Sequence, residues 1–314
     1  MKKLAIVTAT VLGLSTLFAG SAWAKSNEIA VIVKSANSTF WQNVKKGADD
    51  AGKMAGDYRV TFQGPEAETA IDAQVNMVDN AVNRGVAGIV LAASDPVALV
   101  PAVKKAYESG IPVVLIDSGI NSDGKYYQSF LATDNRAAGK LAAEKLLAKV
   151  KGGKVAVMSF TQGAASAIER TGGFIDAVKA SADYKIVGPY YSNSEMVTAL
   201  NQTEDVLGSN PDLTAIFGAN EPTAVGMARA VKQKGFAGKI VAVGFDGNSD
   251  LQNFVRDGTL DGIVVQSSYQ MGYKGVDTIG KIIKGEKVEK MIDTGVVYVT
   301  KENIDSEEAK AVLY

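Results

Sequence analysis

Residues 88–119 read GIVLAASDPVALVPAVKKAYESGIPVVLIDSG. Two short apolar runs rich in β-branched residues, Gly88–Leu91 and Val113–Ile116, flank a stretch long enough for one amphipathic helix. An uninterrupted apolar strand is buried on both faces, which is the condition of a parallel sheet covered by helices. The same unit recurs outward. Upstream lie the runs Ile29–Val33 and Val60–Phe62, and downstream Phe130–Leu131. Between them Val75, Val78, Val82 and Val86 keep helical spacing, with Gly85 placed to end the helix.

After Thr133-Asp134-Asn135 the pattern starts again, with runs at Val155–Met158, Ile186–Val187, Ala215–Phe217, Ile240–Val243 and Ile263–Val265. Leu141, Lys145 and Ala148 suggest a helix face before Gly152-Gly153. Ten strands are too many for one comfortable sheet. The sequence therefore predicts an α/β fold of two similar, doubly wound parallel-sheet lobes, each with a crevice at the carboxyl ends of its strands. No proline-rich or low-complexity linker separates them, and lobes joined in this way move about a hinge.

Residues 1–24 read as an address: Lys2 and Lys3, an apolar run to Phe18, then Ala22-Trp23-Ala24 as a cleavage site. The run is shorter than the roughly 20 residues of a spanning helix. The expectation is an exported chain, cleaved after Ala24. Without Lys2 and Lys3 the 33 basic residues fall to 31 against 34 acidic, a net charge of −3 with no basic block to hold nucleic acid. The chain has 0 cysteines and 0 histidines. Cys/His metal sites, thiol nucleophiles and Ser-His-Asp triads are thereby excluded. Asp246-Gly247-Asn248-Ser249-Asp250 resembles the start of a calcium loop, but Leu251 stands where its glycine belongs and the late glutamate is missing. No glycine-rich phosphate loop occurs. Neither a cofactor nor a metal is expected.

In such sheets the ligand sits just beyond the strands' carboxyl ends. Those positions hold Asn37-Ser38-Thr39-Phe40-Trp41, Asp117, a loop to Ser166 and Arg170, Asn220-Glu221, Phe245-Asp246 and Gln266. Two aromatics, carboxylates, amides and one guanidinium match a sugar. Its C–H faces lie on rings and each hydroxyl both donates and accepts. Charges of both signs in a closing cleft must pair with each other or with ligand.

The segments Asn37–Trp41, Ile116-Asp117, Ala132–Asn135, Glu169–Phe174, Gly218–Glu221, Val243–Gly247 and Val265-Gln266, in this order, resemble the ribose-type periplasmic sugar-binding proteins of ABC transporters. These share the type I periplasmic binding protein fold with the sensor domains of LacI-like repressors. The resemblance spans nearly all of 27–299. It implies ligand contacts at Phe40, Trp41, Asp117, Arg170, Asn220, Asp246 and Gln266. Asn37, Ser38, Ser94, Asp95, Ser118, Ser166, Asn193 and Glu221 are further candidates. It divides the chain into one lobe of 25–133 plus 267–295 and another of 134–266 plus 296–314. It implies a neutral sugar or polyol as ligand, a membrane permease as partner, a periplasmic location, a monomer, and in some members a chemoreceptor.

Ribose binders of this type have asparagine where Ser38 stands, arginine where Ser118 follows Asp117, and an aromatic near Asn193-Ser194. Those departures predict a roomier, less cationic pocket and a larger polyol, a hexose or an inositol. Two other classes compete. A sugar-processing enzyme would use Asp117 and Asp246 as a carboxylate pair. A transcriptional sensor would need a helix-turn-helix head where this chain has its leader-like segment.

Overall fold

The structure, a computed structural model, describes residues 26–55 and 58–314. The leader expected over 1–24 lies outside the described residues.

Strand β1 (Glu28–Ile32) is followed by helix α1 (Thr39–Ala55), β2 (Arg59–Gln63), α2 (Ile71–Asn83), β3 (Gly88–Leu91) and α3 (Val100–Glu108). Then come β4 (Val113–Ile116), β5 (Ser129–Ala132), α4 (Asn135–Leu147), β6 (Gly153–Ser159), α5 (Ala165–Lys179) and β7 (Tyr184–Tyr191). The chain continues through α6 (Met196–Ser209), β8 (Leu213–Gly218), α7 (Glu221–Gln233), β9 (Val241–Phe245), α8 (Ser249–Arg256) and β10 (Gly262–Gln266). It closes with α9 (Ser268–Ile283), β11 (Met291–Asp293), β12 (Val296–Val299) and α10 (Glu307–Lys310).

Among the described residues these strands form two six-stranded sheets, ordered β11-β5-β4-β3-β1-β2 and β12-β10-β9-β8-β6-β7. All pairings are parallel except β12 on β10. In each sheet alternate residues feed opposite cores, as the strand period of two requires. Ile29, Val31, Val90, Val114 and Ile116 pack under α1 and α9, and Ala30, Ile32, Ile89, Leu91 and Leu115 under α2 and α3. The second lobe repeats this with Val155, Val157, Phe217 and Phe245 on one face and Ala156, Met158, Ile216 and Ile263 on the other. The two-lobed, doubly wound α/β reading is what the molecule adopts.

Each of the ten runs read as strands falls on a strand, within one residue at its ends. The two strands that no run announced, β11 and β12, are short edge strands, only partly buried. The face assigned to α4 is corrected. Lys145 and Ala148 are exposed, and the buried stripe is Ala138, Ala142, Ala143 and Leu146. Small residues rather than large apolar ones mark it because α4 packs closely on α5. Gly139 meets the Arg170 carbonyl, and Gly173 meets the Arg136 carbonyl, closer than a Cβ would permit. Gly47 and Gly272 do the same for α1 and α9. These glycines set helix spacing, and the α4–α5 crossing places Arg170 at the cleft.

The chain crosses between the sheets three times, between β5 and α4, between β10 and α9, and between β11 and β12. No described helix is long and apolar enough to cross a membrane.

Candidate functional site

The carboxyl ends of both sheets face one narrow, half-open cavity between the lobes, with about 30 Å³ of free space. Its walls are Lys34, Ser38, Phe40, Trp41, Glu68 and Asp117 from one lobe. From the other come Phe160, Ser166, Arg170, Asn220, Glu221, Pro222, Asp246 and Gln266.

The two lobes present a carboxylate by the same turn. Asp117 follows β4 with φ 59°, and Asp246 follows β9 with φ 75°. Left-handed backbone is uncommon outside glycine and best tolerated by Asp and Asn. Each N–H donates to a carbonyl of the next strand, Asp117 to Leu131 at 3.0 Å and Asp246 to Val264 at 2.8 Å. The turn thus re-aims the side chain off the sheet into the cleft.

In the first lobe Phe40 and Trp41 open α1, edge to face at 4.8 Å. The Trp41 indole N–H donates to Glu68 Oε1 at 3.3 Å. Lys34, directly after the β1 run, is buried. Its Nζ lies 2.7 Å from Asp117 Oδ2 and donates to the Ser118 hydroxyl at 2.6 Å.

In the second lobe Arg170 is 2% exposed. Its Nε and Nη2 donate to Asn135 Oδ1 at 3.0 and 2.7 Å, Nη1 to the Ala219 carbonyl at 2.7 Å, and Nη2 to Gln266 Oε1 at 3.2 Å. The guanidinium lies 3.7 Å over the Phe245 ring, a desolvated cation–π contact. The sequence expectation is that Asp117, Asp246 and Arg170 pair with one another or with ligand. Within the protein the donors of Arg170 meet neutral oxygens, and Asp117 pairs with Lys34. Asp246 accepts from Gln266 Nε2 and from the Glu221 backbone N–H, each at 2.8 Å. Burial pushes the Asp246 carboxyl up to about 6, against the pull of Arg170. Asn220 caps α7 through Thr223 N–H at 3.2 Å and donates to the Ser194 hydroxyl at 3.0 Å.

Four hydrogen bonds join the lobes across the cavity. Lys34 Nζ donates to the Ser166 hydroxyl at 3.0 Å. Glu68 Oε2 accepts from Thr161 at 3.1 Å and Ser194 at 2.8 Å. Glu221 Oε2 accepts from Thr39 at 2.7 Å. Burial pushes the Glu221 carboxyl up to about 7, and neighbouring Asp246 adds to the rise.

All seven residues singled out first, Phe40, Trp41, Asp117, Arg170, Asn220, Asp246 and Gln266, line this cavity, as do Ser38, Ser166 and Glu221. Ser118 stands behind Asp117 and donates to its Oδ2 at 3.0 Å. Four others lie elsewhere. Asn37 is exposed at the mouth, Ser94 is buried outside the wall, Asp95 caps the turn at Val97 and Ala98, and Asn193 is exposed. In the calcium-like stretch Asn248 caps α8 and Asp250 pairs with Arg229.

Lys34 and Phe160 were missed, although both stand at strand ends, where the same rule applied directly at the end of each run would have found them. Both belong to the pocket expected to be roomier and less cationic than that of the ribose binders. Lys34 brings a cation to Asp117, and Phe160 contributes a ring to the second wall. Glu68 comes from the loop after β2, which the end of the Val60–Phe62 run marks by the same rule.

A cavity between two hinged lobes, walled by rings and by paired donors and acceptors, defines a two-lobed binding protein of the class that closes on a small polar ligand. Residues 29–287 match the model of the periplasmic binding protein domain family, and the chain belongs to that family. The D-allose-binding periplasmic protein of Escherichia coli K12 is 31% identical over 311 residues, which covers 94% of this chain and 99% of that one. The ribose import binding protein of the same strain is 32% identical over 303 residues, 96% of this chain and 99% of that one. An ABC transporter solute binding protein from Agrobacterium vitis, solved with bound D-fucose, is 66% identical. It superposes with a TM-score of 0.90 over 91% of this chain and 100% of that one.

Proposed function

We propose that the chain is the periplasmic solute-binding component of a carbohydrate ABC transporter, which closes on one neutral monosaccharide and delivers it to the membrane permease. The observation that carries this reading is the small cavity itself, with rings from both lobes and a saturated set of charged and amide groups between them. D-fucose, the sugar held by the 66% identical structure, is the first candidate. Its methyl group and C–H faces suit Phe40, Trp41, Phe160 and Pro222. Its hydroxyls suit Asp117, Asp246, Arg170, Asn220, Gln266 and Lys34.

Binding without turnover is the reading we favour. Both oxygens of Asp246 already accept protein donors, and Asp117 is tied to Lys34, so both carboxylates are held in fixed orientations with lone pairs left to accept from hydroxyls. Closure turns about the crossings near 133/134, 266/267 and 295/296, which bound the lobes. The leader is cleaved after Ala24, and the mature chain acts as a monomer, with a chemoreceptor as a second partner of the closed form. Calorimetry with D-fucose, D-allose, D-ribose and myo-inositol, followed by product analysis, tests the reading. One sugar should bind stoichiometrically and be recovered unchanged. Turnover, or binding of none of them, would overturn it.

A further inference from the structure

Tyr314 does not line the cavity, yet it holds two of the residues that do. Its backbone is fastened to the second lobe. The N–H donates to the Gly247 carbonyl at 3.1 Å, and the carbonyl accepts from Gln252 Nε2 at 3.1 Å. Just before it, Ala309 and Val312 are buried in the core of that lobe. The ring leaves this lobe and packs with the apolar cluster of the first, 6.5 Å from the Phe40 ring at 69°. Its hydroxyl donates at 2.9 Å to Glu221 Oε2, the oxygen that also accepts from Thr39 of the first lobe. Burial raises the phenol well above its usual value, so the hydroxyl keeps its proton and remains a donor.

A residue that only secured its own segment would bury its ring in its own lobe. Here backbone and ring belong to different lobes, so the lobes cannot part without withdrawing the ring from the Phe40 cluster and breaking the Thr39 bond.

We propose that Tyr314 is a cross-lobe clasp, a positioning residue that fixes the Phe40 ring and the Glu221 carboxylate at the sugar and biases the lobes toward closure. The first part rests on the sugar-binding reading above; the second does not. Contacts made only in the closed form raise the closed population, and apparent affinity rises by the same factor.

Two measurements test this. The chain has 0 cysteines, so dyes on Lys125→Cys and Lys179→Cys, one per lobe, report lobe separation by single-molecule energy transfer. In ligand-free protein, Tyr314→Ala should shift the population toward the open distance. Tyr314→Phe, which keeps the ring, should shift it less, as should Thr39→Val. Calorimetry with D-fucose, or whichever monosaccharide the wild type binds, should show about 10- to 100-fold weaker binding for Tyr314→Ala. For Tyr314→Phe the loss should be about 3- to 10-fold, the worth of one ordinary hydrogen bond. The denaturation midpoint of each ligand-free variant shows that it is folded. Unchanged distances and unchanged affinity in Tyr314→Ala would overturn the clasp. A wild type that binds no neutral monosaccharide would overturn the functional reading alone, because the distances still decide the clasp.

Discussion

The two walls of the cavity start from the same turn, an aspartate at positive φ beyond a parallel strand, yet they are held in different ways. In the second lobe Arg170, Asp246 and Gln266 form one network with Asn135 and the Ala219 carbonyl, and Asn220 bonds Ser194 and Thr223, all within one lobe. That network persists when the lobes part. In the first lobe the polar groups are fewer, and two of them, Lys34 and Glu68, complete their bonding only by reaching Ser166, Thr161 and Ser194 across the cleft. On the proposed reading the second lobe is therefore the preorganised surface on which a sugar lands. The first lobe is the face whose own contacts favour closing over it. This suits a protein that must both capture and release, since a site completed in one lobe alone would give closure no reward.

Four perturbations would break or sharpen that contrast. The largest effect is expected from Lys34→Met, which leaves Asp117 buried without its cation. Losing one partner of a buried pair costs on the order of 3 kcal/mol. Denaturant unfolding of the ligand-free protein should register it, and Lys34→Met with Asp117→Leu should regain most of the stability but not sugar binding. Equal stability of Lys34→Met and wild type would mean that the first wall does not depend on this pair.

Arg170→Ala comes next. On the proposed reading it removes charge-assisted bonds to ligand, and it leaves Asn135 and the Ala219 carbonyl without their Arg170 donors. We expect a loss of about 2–4 kcal/mol in binding, or roughly 30- to 1000-fold in affinity. Calorimetry with an unchanged Kd would remove Arg170 from the site and the second lobe from its role as landing surface.

The third perturbation is pH. Burial raises Glu221 to about 7 and Asp246 to about 6 in the closed form. An open cleft rehydrates both and returns them toward ordinary carboxylate values near 4. Closure therefore binds protons. Below the open-state values both forms are protonated and closing carries no charge penalty. The penalty grows as pH rises through the interval and is complete above the closed-state values. Affinity should fall by about tenfold or more between pH 5 and 7.5. Glu221→Gln should flatten the upper part of that profile, and a pH-independent Kd would refute the coupling.

The smallest effect is at Trp41, the only tryptophan outside the leader-like segment. It is 2% exposed in this closed form and hydrogen-bonded to Glu68. Sugar titration should shift its emission saturably, and Trp41→Phe should weaken binding by roughly threefold, since a ring still covers the sugar. An emission spectrum indifferent to a bound sugar would place Trp41 in the first-lobe core only.

Strand and helix order were legible because buried parallel strands leave continuous apolar runs, and the strand-end rule converted those runs into site positions such as Asp117, Asp246 and Gln266. The stripe of α4 was misread because close helix packing selects glycine and alanine, which carry little hydrophobic signal. Edge strands β11 and β12, half exposed, leave almost none.

The sequence by itself determined that the molecule is two doubly wound lobes meeting at a polar cleft with aromatic walls. Those properties depend on periodicity and residue type, which are local. Only the tertiary structure decided which charges pair. Lys34 finds Asp117 across 83 positions, Glu68 reaches Thr161 and Ser194, and Tyr314 returns to Glu221 and Phe40. Such partners are fixed by the crossing of helices and by the way the lobes meet, and no spacing along a single segment encodes either.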